Sequence, residues 1–108
     1  MSYQVIVTYE GRGGFIVYME DGNCLKFEWE HVQGGVEIIT GSAQEWAAIC
    51  RKQTADRAIG RRQEILERIA QEYKRQKAKR AKIIMESDRI FISFEGYGLF
   101  AYLKSLFD

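Results

Sequence analysis

Proline is absent from this chain of 108 residues, histidine occurs once and cysteine twice. No apolar run approaches the roughly 20 residues that a membrane-spanning helix needs, and the N-terminal residues lack a basic segment followed by an apolar one. We therefore expect a cytoplasmic protein with no membrane partner. With 46% hydrophobic and 13% aromatic residues, the chain can form a packed core, which argues against a disordered protein.

The scarcity of cysteine and histidine limits the chemistry that the chain can perform. Cys24 and Cys50 do not form a CxxC motif, and we expect two buried thiols in a reducing compartment. His31 lies near Glu28 and Glu30, but no nucleophile motif accompanies it, so we expect a solvent-exposed loop histidine. One histidine with scattered carboxylates does not give the ligand spacing of a metal site. The sequence therefore predicts no catalytic residue, no metal and no cofactor.

Glycine and glutamate form two patterns that resemble functional motifs only in part. The turn Gly11 to Gly14 follows a predicted strand, but a phosphate-binding loop would open a helix, whereas here a second strand follows. The turn therefore predicts a hairpin. A catalytic carboxylate pair would need burial or close approach. The acidic residues before the helix instead predict a solvated sheet face: Glu10, Glu20, Glu28, Glu30 and Glu37.

Charge is unevenly distributed, although the net charge is only +1. Residues 1–40 carry six acidic and two basic side chains, residues 41–82 carry five acidic and twelve basic ones, and the remaining residues carry four acidic and two basic. Because opposite charges attract, we expect the basic segment to contact the acidic one, within one chain or between two.

Alternation of apolar and polar residues predicts four strands before residue 41. They cover residues 3–10, 15–20, 24–30 and 36–40. The Asp21-Gly22-Asn23 turn between the second and third strands is typical of a tight hairpin. Strands joined by such short loops are antiparallel neighbours, so the sequence predicts a four-stranded meander.

A long helical region follows these strands. Ser42 and Glu45 fit a capping box, which sets the N-terminal end of the helix. From there to Lys82, apolar residues recur at helical spacing. Gly60 is the only glycine in this region. We expect either one continuous helix over about 42–82 or a break between Thr54 and Gly60.

The chain then returns to β-type alternation. Residues 82–86 and 89–95 predict strands, and the last ten residues predict a short amphipathic helix with Leu99, Leu103, Leu106 and Phe107 on one side. The predicted fold is a single α+β domain over residues 1–108. It has an antiparallel sheet of five or six strands, one long helix and a short C-terminal helix.

The length of the predicted helix suggests a dimer. A continuous helix over 42–82 would measure roughly 60 Å, whereas a compact domain of this size has a radius of gyration of roughly 13 Å. The second half of the helix would extend past the sheet, where its apolar residues would need cover. A homodimer provides this cover. We predict a dimer interface at Ile65, Leu66, Ile69 and Tyr73.

The basic residues of the helix suggest an alternative. A helical arc of cations can follow a phosphate backbone, and the positions that would contact nucleic acid are Arg57, Arg61, Arg68, Arg75, Lys79 and Arg80. The near-zero net charge argues against this alternative. We therefore expect a non-enzymatic interaction module, a homodimer that binds another protein. A nucleic-acid-binding or regulatory protein is the second hypothesis.

Overall fold

The computed structural model describes residues 2–94. Four strands come first: β1 (Tyr3–Val7), β2 (Gly13–Glu20), β3 (Asn23–Val32) and β4 (Gly35–Ile39). Three helical segments follow: α1 (Ala43–Lys52), a 3-10 helix (Asp56–Arg61) and α2 (Arg62–Lys77). Strands β5 (Lys82–Met85) and β6 (Arg89–Ser93) complete this part of the chain. The predicted C-terminal helix lies outside the described residues.

The six strands form one antiparallel sheet in the order β1-β2-β3-β4-β6-β5. The first four strands are the predicted meander, and the α+β class is confirmed. Strand β6 pairs with β4 through Val36 and Ile92, which leaves β1 and β5 at the two edges. At the tight turn between β2 and β3, Asp21 and Gly22 have φ angles of 49° and 81°. Positive φ at both positions is what a primed hairpin turn requires.

One face of the sheet, the inner face, is covered by the helices. The side chains of Ile16, Leu25, Ile38 and Ile90 on this face are almost fully buried. Trp46 of α1 stacks on the ring of Phe27 at 5.9 Å between centroids. The opposite face, the outer face, carries alternate residues of the same strands and is more exposed. A sheet with one face packed and one face free is common for antiparallel strands.

The predicted start of the helical region is confirmed, but the region is not one continuous helix. Ser42 and Glu45 form both hydrogen bonds of the capping box. Helix α1 ends at Lys52 in a Schellman motif: the Thr54 N–H donates to the Arg51 carbonyl, and the N–H of the next residue donates to the Cys50 carbonyl. Thr54 has a φ of 55° there. The structure therefore has the break between Thr54 and Gly60 rather than the continuous helix.

The break shortens the second helix to the size of the sheet. Helix α2 has 16 residues, which gives a length of about 24 Å. The four apolar residues predicted at a dimer interface are buried in the core of a single chain, with side chains 3% exposed or less: Ile65, Leu66, Ile69 and Tyr73. The chain's own sheet covers them. This differs from the sequence prediction, because the helix does not extend beyond the sheet.

Arg62, the first residue of α2, hydrogen-bonds to two loops, one after β4 and one between β5 and β6. Its Nη2 donates to the carbonyl of Gly41 at 2.9 Å and to the carbonyl of Ser87 at 3.0 Å. Its guanidinium lies 6.0 Å from the ring of Trp46. A cation on the apolar stripe of the helix is therefore tolerated because its guanidinium donates hydrogen bonds to loop carbonyls. Over residues 2–94, no helix has the length and apolar character to cross a membrane.

Candidate interaction site

A buried carboxylate connects β2 to the helices. Glu20, at the end of β2, is 4% exposed, and its two oxygens accept from Arg61 Nη1 and, at 2.8 Å, from Arg68 Nη1. The hydroxyl of Tyr18 donates to Glu20 at 3.1 Å. Hydrogen bonds from Arg61, reinforced by those from Arg68 and Tyr18, lower the pKa of Glu20 to about 2, although burial opposes this shift. The sequence predicted that Glu20 would lie on a solvated sheet face. The structure instead places it in the core.

This arrangement makes Glu20 a structural group. A carboxyl group with a pKa of about 2 stays ionised near neutral pH and is a poor general acid or base there. Glu64 accepts from the same two arginines, and the Arg68 guanidinium lies 4.5 Å from the centre of the Tyr3 ring. The basic helical region and the acidic sheet thus attract each other within one chain, which is one of the two arrangements expected from the charge distribution.

The structure separates the six cations proposed for nucleic acid. Arg61 and Arg68 bind Glu20, and Arg75 binds Glu72 at 2.8 Å. Arg57 is exposed on the 3-10 helix. The remaining two, Lys79 and Arg80, are exposed beyond the C-terminal end of α2, whereas Arg57 precedes the N-terminal end of that helix. Half of the proposed cations are therefore engaged in ion pairs, and Arg57 is separated from Lys79 and Arg80 by α2.

A different basic group lies where α2 ends. Between Lys74 and Lys82 the chain carries six Lys or Arg residues, of which Arg75 alone has an ion-pair partner in the described part of the chain. The ammonium group of Lys77 lies 4.9 Å from the centre of the Tyr9 ring, which is 56% exposed. We call this group the basic end of α2; its members without an ion pair are Lys74, Lys77, Lys79, Arg80 and Lys82.

An open cleft lies at the same end of the sheet, between the start of β2 and the end of β3. It has a volume of about 740 Å³. Its shape depends on glycine: a Cβ atom at Gly14 would lie 1.9 Å from the carbonyl oxygen of Thr8, and one at Gly13 would lie 2.3 Å from that of Trp29. We call it the acidic cleft, and the charged and aromatic residues that line it are Glu10, Arg12, Phe15, Glu28, Trp29, Glu30 and His31.

The three carboxylates of the acidic cleft form no ion pair within the described residues. Glu30 of β3 lies directly opposite Glu37 of β4, and like charges in such a pair repel. Arg89 binds Glu37 at 3.0 Å. Within residues 2–94, however, no ion pair involves Glu10, Glu28 or Glu30, and all three are exposed. These three carboxylates outnumber Arg12, the one Lys or Arg residue that lines the cleft, so the cleft favours a cationic ligand.

Aromatic side chains pack beneath the cleft, on the inner face of the sheet, where Trp29 is buried. The ring of Trp29 contacts Tyr9 and His31, each at 5.3 Å between centroids, and Tyr73 at 6.0 Å. Its indole N–H donates to the Thr8 carbonyl at 3.0 Å, which fixes the orientation of the ring. His31 is exposed, as predicted, although it belongs to strand β3 and not to a loop.

Phe15 shows that an aromatic ring at this cleft can bind a cation. The ammonium group of Lys26 lies 3.8 Å from the centre of the Phe15 ring.

Comparison with protein-family models, with curated proteins and with solved structures finds no match for this chain. Residues 2–94 contain no group of three or more His, Cys, Asp or Glu side chains arranged to hold a metal ion. The thiols are free: Cys50 is buried, whereas Cys24 is exposed, contrary to prediction.

The acidic cleft was not predicted from the sequence, although one signal for it was present. Glu28 and Glu30 alternate with buried residues on β3, and a short loop brings Glu37 of β4 opposite Glu30. A register assigned to the β3–β4 hairpin would have placed these carboxylates side by side. The contribution of Trp29 and Glu10 depends on the path of the chain after β1, which the alternation pattern does not give.

Proposed function

We propose that this protein is a non-enzymatic, cytoplasmic interaction module that binds a basic segment of another protein in the acidic cleft. The observation that supports this proposal is the set of three exposed carboxylates without an ion pair, Glu10, Glu28 and Glu30, beside the half-buried ring of Phe15. Such carboxylates attract lysine and arginine side chains, and aromatic rings bind the same cations through their faces. An extended segment with several cations would engage both.

The energetics of exposed charges determine how such an interaction would behave. A single exposed ion pair contributes about 0.2 to 1 kcal/mol, so several pairs with aromatic contacts would be needed for measurable affinity. Exposed charge interactions are screened at distances beyond about 8 Å at physiological ionic strength. The binding should therefore weaken as salt is added.

The proposal can be tested by calorimetric titration with a short synthetic peptide of lysine, arginine and leucine. A peptide in which glutamate replaces every cation is the control ligand. We expect the basic peptide to bind and the acidic peptide not to bind. The double variant Glu28→Lys and Glu30→Lys should abolish binding. Glu67→Lys, at an exposed position of α2 away from the cleft, should leave it unchanged. Equal binding by the cleft variant and by wild type would contradict the proposal.

Nucleic-acid binding is the second candidate, and the basic end of α2 supports it. One of these cations, Lys77, lies over the exposed ring of Tyr9, and cations combined with an aromatic ring are typical of single-strand binding. Titration with single-stranded DNA and RNA at two salt concentrations tests it. The double variant Lys79→Glu and Arg80→Glu should weaken binding, and affinity should fall as salt rises. Binding that is insensitive to salt would contradict this candidate.

A further inference from the structure

The two edges of the sheet differ in whether another strand could add to them. The edge of β1 is partly closed by α2, because Gln76 Nε2 donates to the Val5 carbonyl at 3.1 Å. At the other edge, β5 exposes two large apolar side chains, Ile84 at 37% and Met85 at 39%. An exposed apolar edge strand is a template for pairing with a further strand.

The hydrogen-bond pattern shows which backbone groups of β5 are available. The N–H of Glu86 donates to the Arg89 carbonyl at 2.9 Å, so Glu86 and every second residue before it bond to β6. The backbone groups of Ile83 and Met85 therefore face away from β6. No hydrogen bond to them comes from another part of residues 2–94.

We propose that β5 pairs antiparallel with β5 of a second copy, about a twofold axis that passes through Ile84. In this register Ile83 of each copy lies opposite Met85 of the other, so the available N–H and C=O groups face each other. Ile84 lies opposite its own counterpart on the outer face. Lys82 of each copy lies opposite Glu86 of the other, which places two opposite-charge pairs at the ends of the strand pair.

The charges select this register over its neighbours. Pairing must join residues whose backbone groups point outward, so the alternative registers differ by steps of two residues. A shift by one such step places Lys82 or Glu86 opposite Ile84, and the remaining charge then faces only Arg80 or Asp88, which lie outside β5. Cross-strand pairs of opposite charge stabilise a sheet, whereas like charges directly opposite destabilise it.

The proposed dimer uses a surface on the opposite edge of the sheet from β1 and β2. It does not depend on the acidic cleft, so either proposal can fail while the other holds. Strand β5 has only four residues, and we expect a weak dimer that forms in the sub-millimolar range.

Sedimentation equilibrium over a range of protein concentrations measures this association. We expect the variants Lys82→Glu and Glu86→Lys each to raise the dimer dissociation constant about tenfold, because each places like charges opposite one another. The double variant Lys82→Glu with Glu86→Lys should restore the wild-type constant. A full-length protein that stays monomeric at sub-millimolar concentration would overturn the proposal. So would a double variant no better than the single ones, because another surface would then be responsible.

Disulfide trapping tests the register independently. In a Cys24→Ser background, Ile84→Cys places two thiols at the twofold axis, where Cβ atoms of directly opposite residues lie about 4.5 to 5.5 Å apart. We expect this variant to form a covalent dimer under mild oxidation. Lys82→Cys is the matched control, since its two copies would lie about 13 Å apart along the strands. Equal cross-linking of the two variants, or none by Ile84→Cys, would overturn the register.

Discussion

The carboxamide of Gln53 hydrogen-bonds to both backbone groups of Lys26. Its Oε1 accepts from the Lys26 N–H at 2.7 Å, and its Nε2 donates to the Lys26 carbonyl at 3.1 Å. Strand β3 is longer than its neighbour β4, so Lys26 has a strand partner on the β2 side and none on the β4 side. The side chain of Gln53, at the C-terminal end of α1, takes the place of the missing strand.

Replacing Gln53 with alanine should destabilise the protein. The change removes the side-chain partner of two solvent-exposed backbone groups of Lys26, which water can then bind, and we expect the free energy of unfolding to fall by about 0.5 to 1.5 kcal/mol. Chemical denaturation measures the change. The control is Gln63→Ala on α2, whose carboxamide bonds only to the neighbouring Glu67. Equal effects of the two substitutions would show that the contact with Lys26 contributes nothing.

Replacing Thr54 with glycine should stabilise the protein. Its φ of 55° is unfavourable for a β-branched residue, whereas glycine is the usual residue at this position of a Schellman motif. We expect Thr54→Gly to raise the free energy of unfolding by about 0.5 to 1 kcal/mol. Thr54→Ala, which also removes the hydroxyl but keeps a Cβ atom, should give no such gain. A lower melting temperature for the glycine variant would contradict this expectation.

Glu20 should make the stability of the protein depend on acidity. Its pKa is about 2 in the folded chain and 4.5 as a free side chain, so it stabilises the fold above pH 4.5. This contribution is lost as the pH falls from 4.5 towards 2. We expect Glu20→Gln to cost about 2 kcal/mol at neutral pH and little at the acidic end of that range. Urea denaturation of both proteins across this range measures the difference.

A control and a contrary outcome define the test of Glu20. Glu67→Gln changes an exposed carboxylate of α2 that forms no ion pair in the described part of the chain, and it should leave the pH profile unchanged. A difference between wild type and Glu20→Gln that stays constant with pH would mean that the charge of Glu20 does not matter.

Ile69 should behave as a core residue in a monomer. Its side chain is 0% exposed, and Ile69→Ala should lower the free energy of unfolding by about 3 kcal/mol at any protein concentration. The same deletion at Ile39, which is 38% exposed on the outer face, should cost less than 1 kcal/mol. If Ile69 were instead at a dimer interface, its substitution would change the mass in solution and have little effect on the stability of the dilute protein.

The strands and the start of α1 could be predicted because their signals are local. The Asp21-Gly22 pair specifies a tight turn, and the Ser42 capping box involves residues three positions apart. The end of α1 could not be placed with the same certainty. The left-handed position that ends α1 is occupied by Thr54 and not by glycine. The glycine of this region is Gly60, whose φ is not positive, so glycine did not mark the end of the helix.

The buried and functional features depend on residues far apart in sequence. The partners of Glu20 lie 41 and 48 positions away, and periodicity placed Glu20 on a polar strand face. The dimer interface was predicted at Ile65 and Ile69 from an assumed helix length. Once the chain breaks at Thr54, α2 folds back over the sheet, and the same apolar pattern forms the core.

Trp29 and Trp46 give the protein two optical reporters with different sensitivities. Trp29 belongs to the strand that lines the cleft and contacts His31 there, whereas Trp46 of α1 donates to the Ala58 carbonyl at 2.9 Å, away from the cleft. A peptide bound in the cleft should therefore alter the fluorescence of the first indole alone, whereas unfolding should shift the emission of both to longer wavelength. Variants that keep one tryptophan would separate ligand binding from loss of structure in a single cuvette.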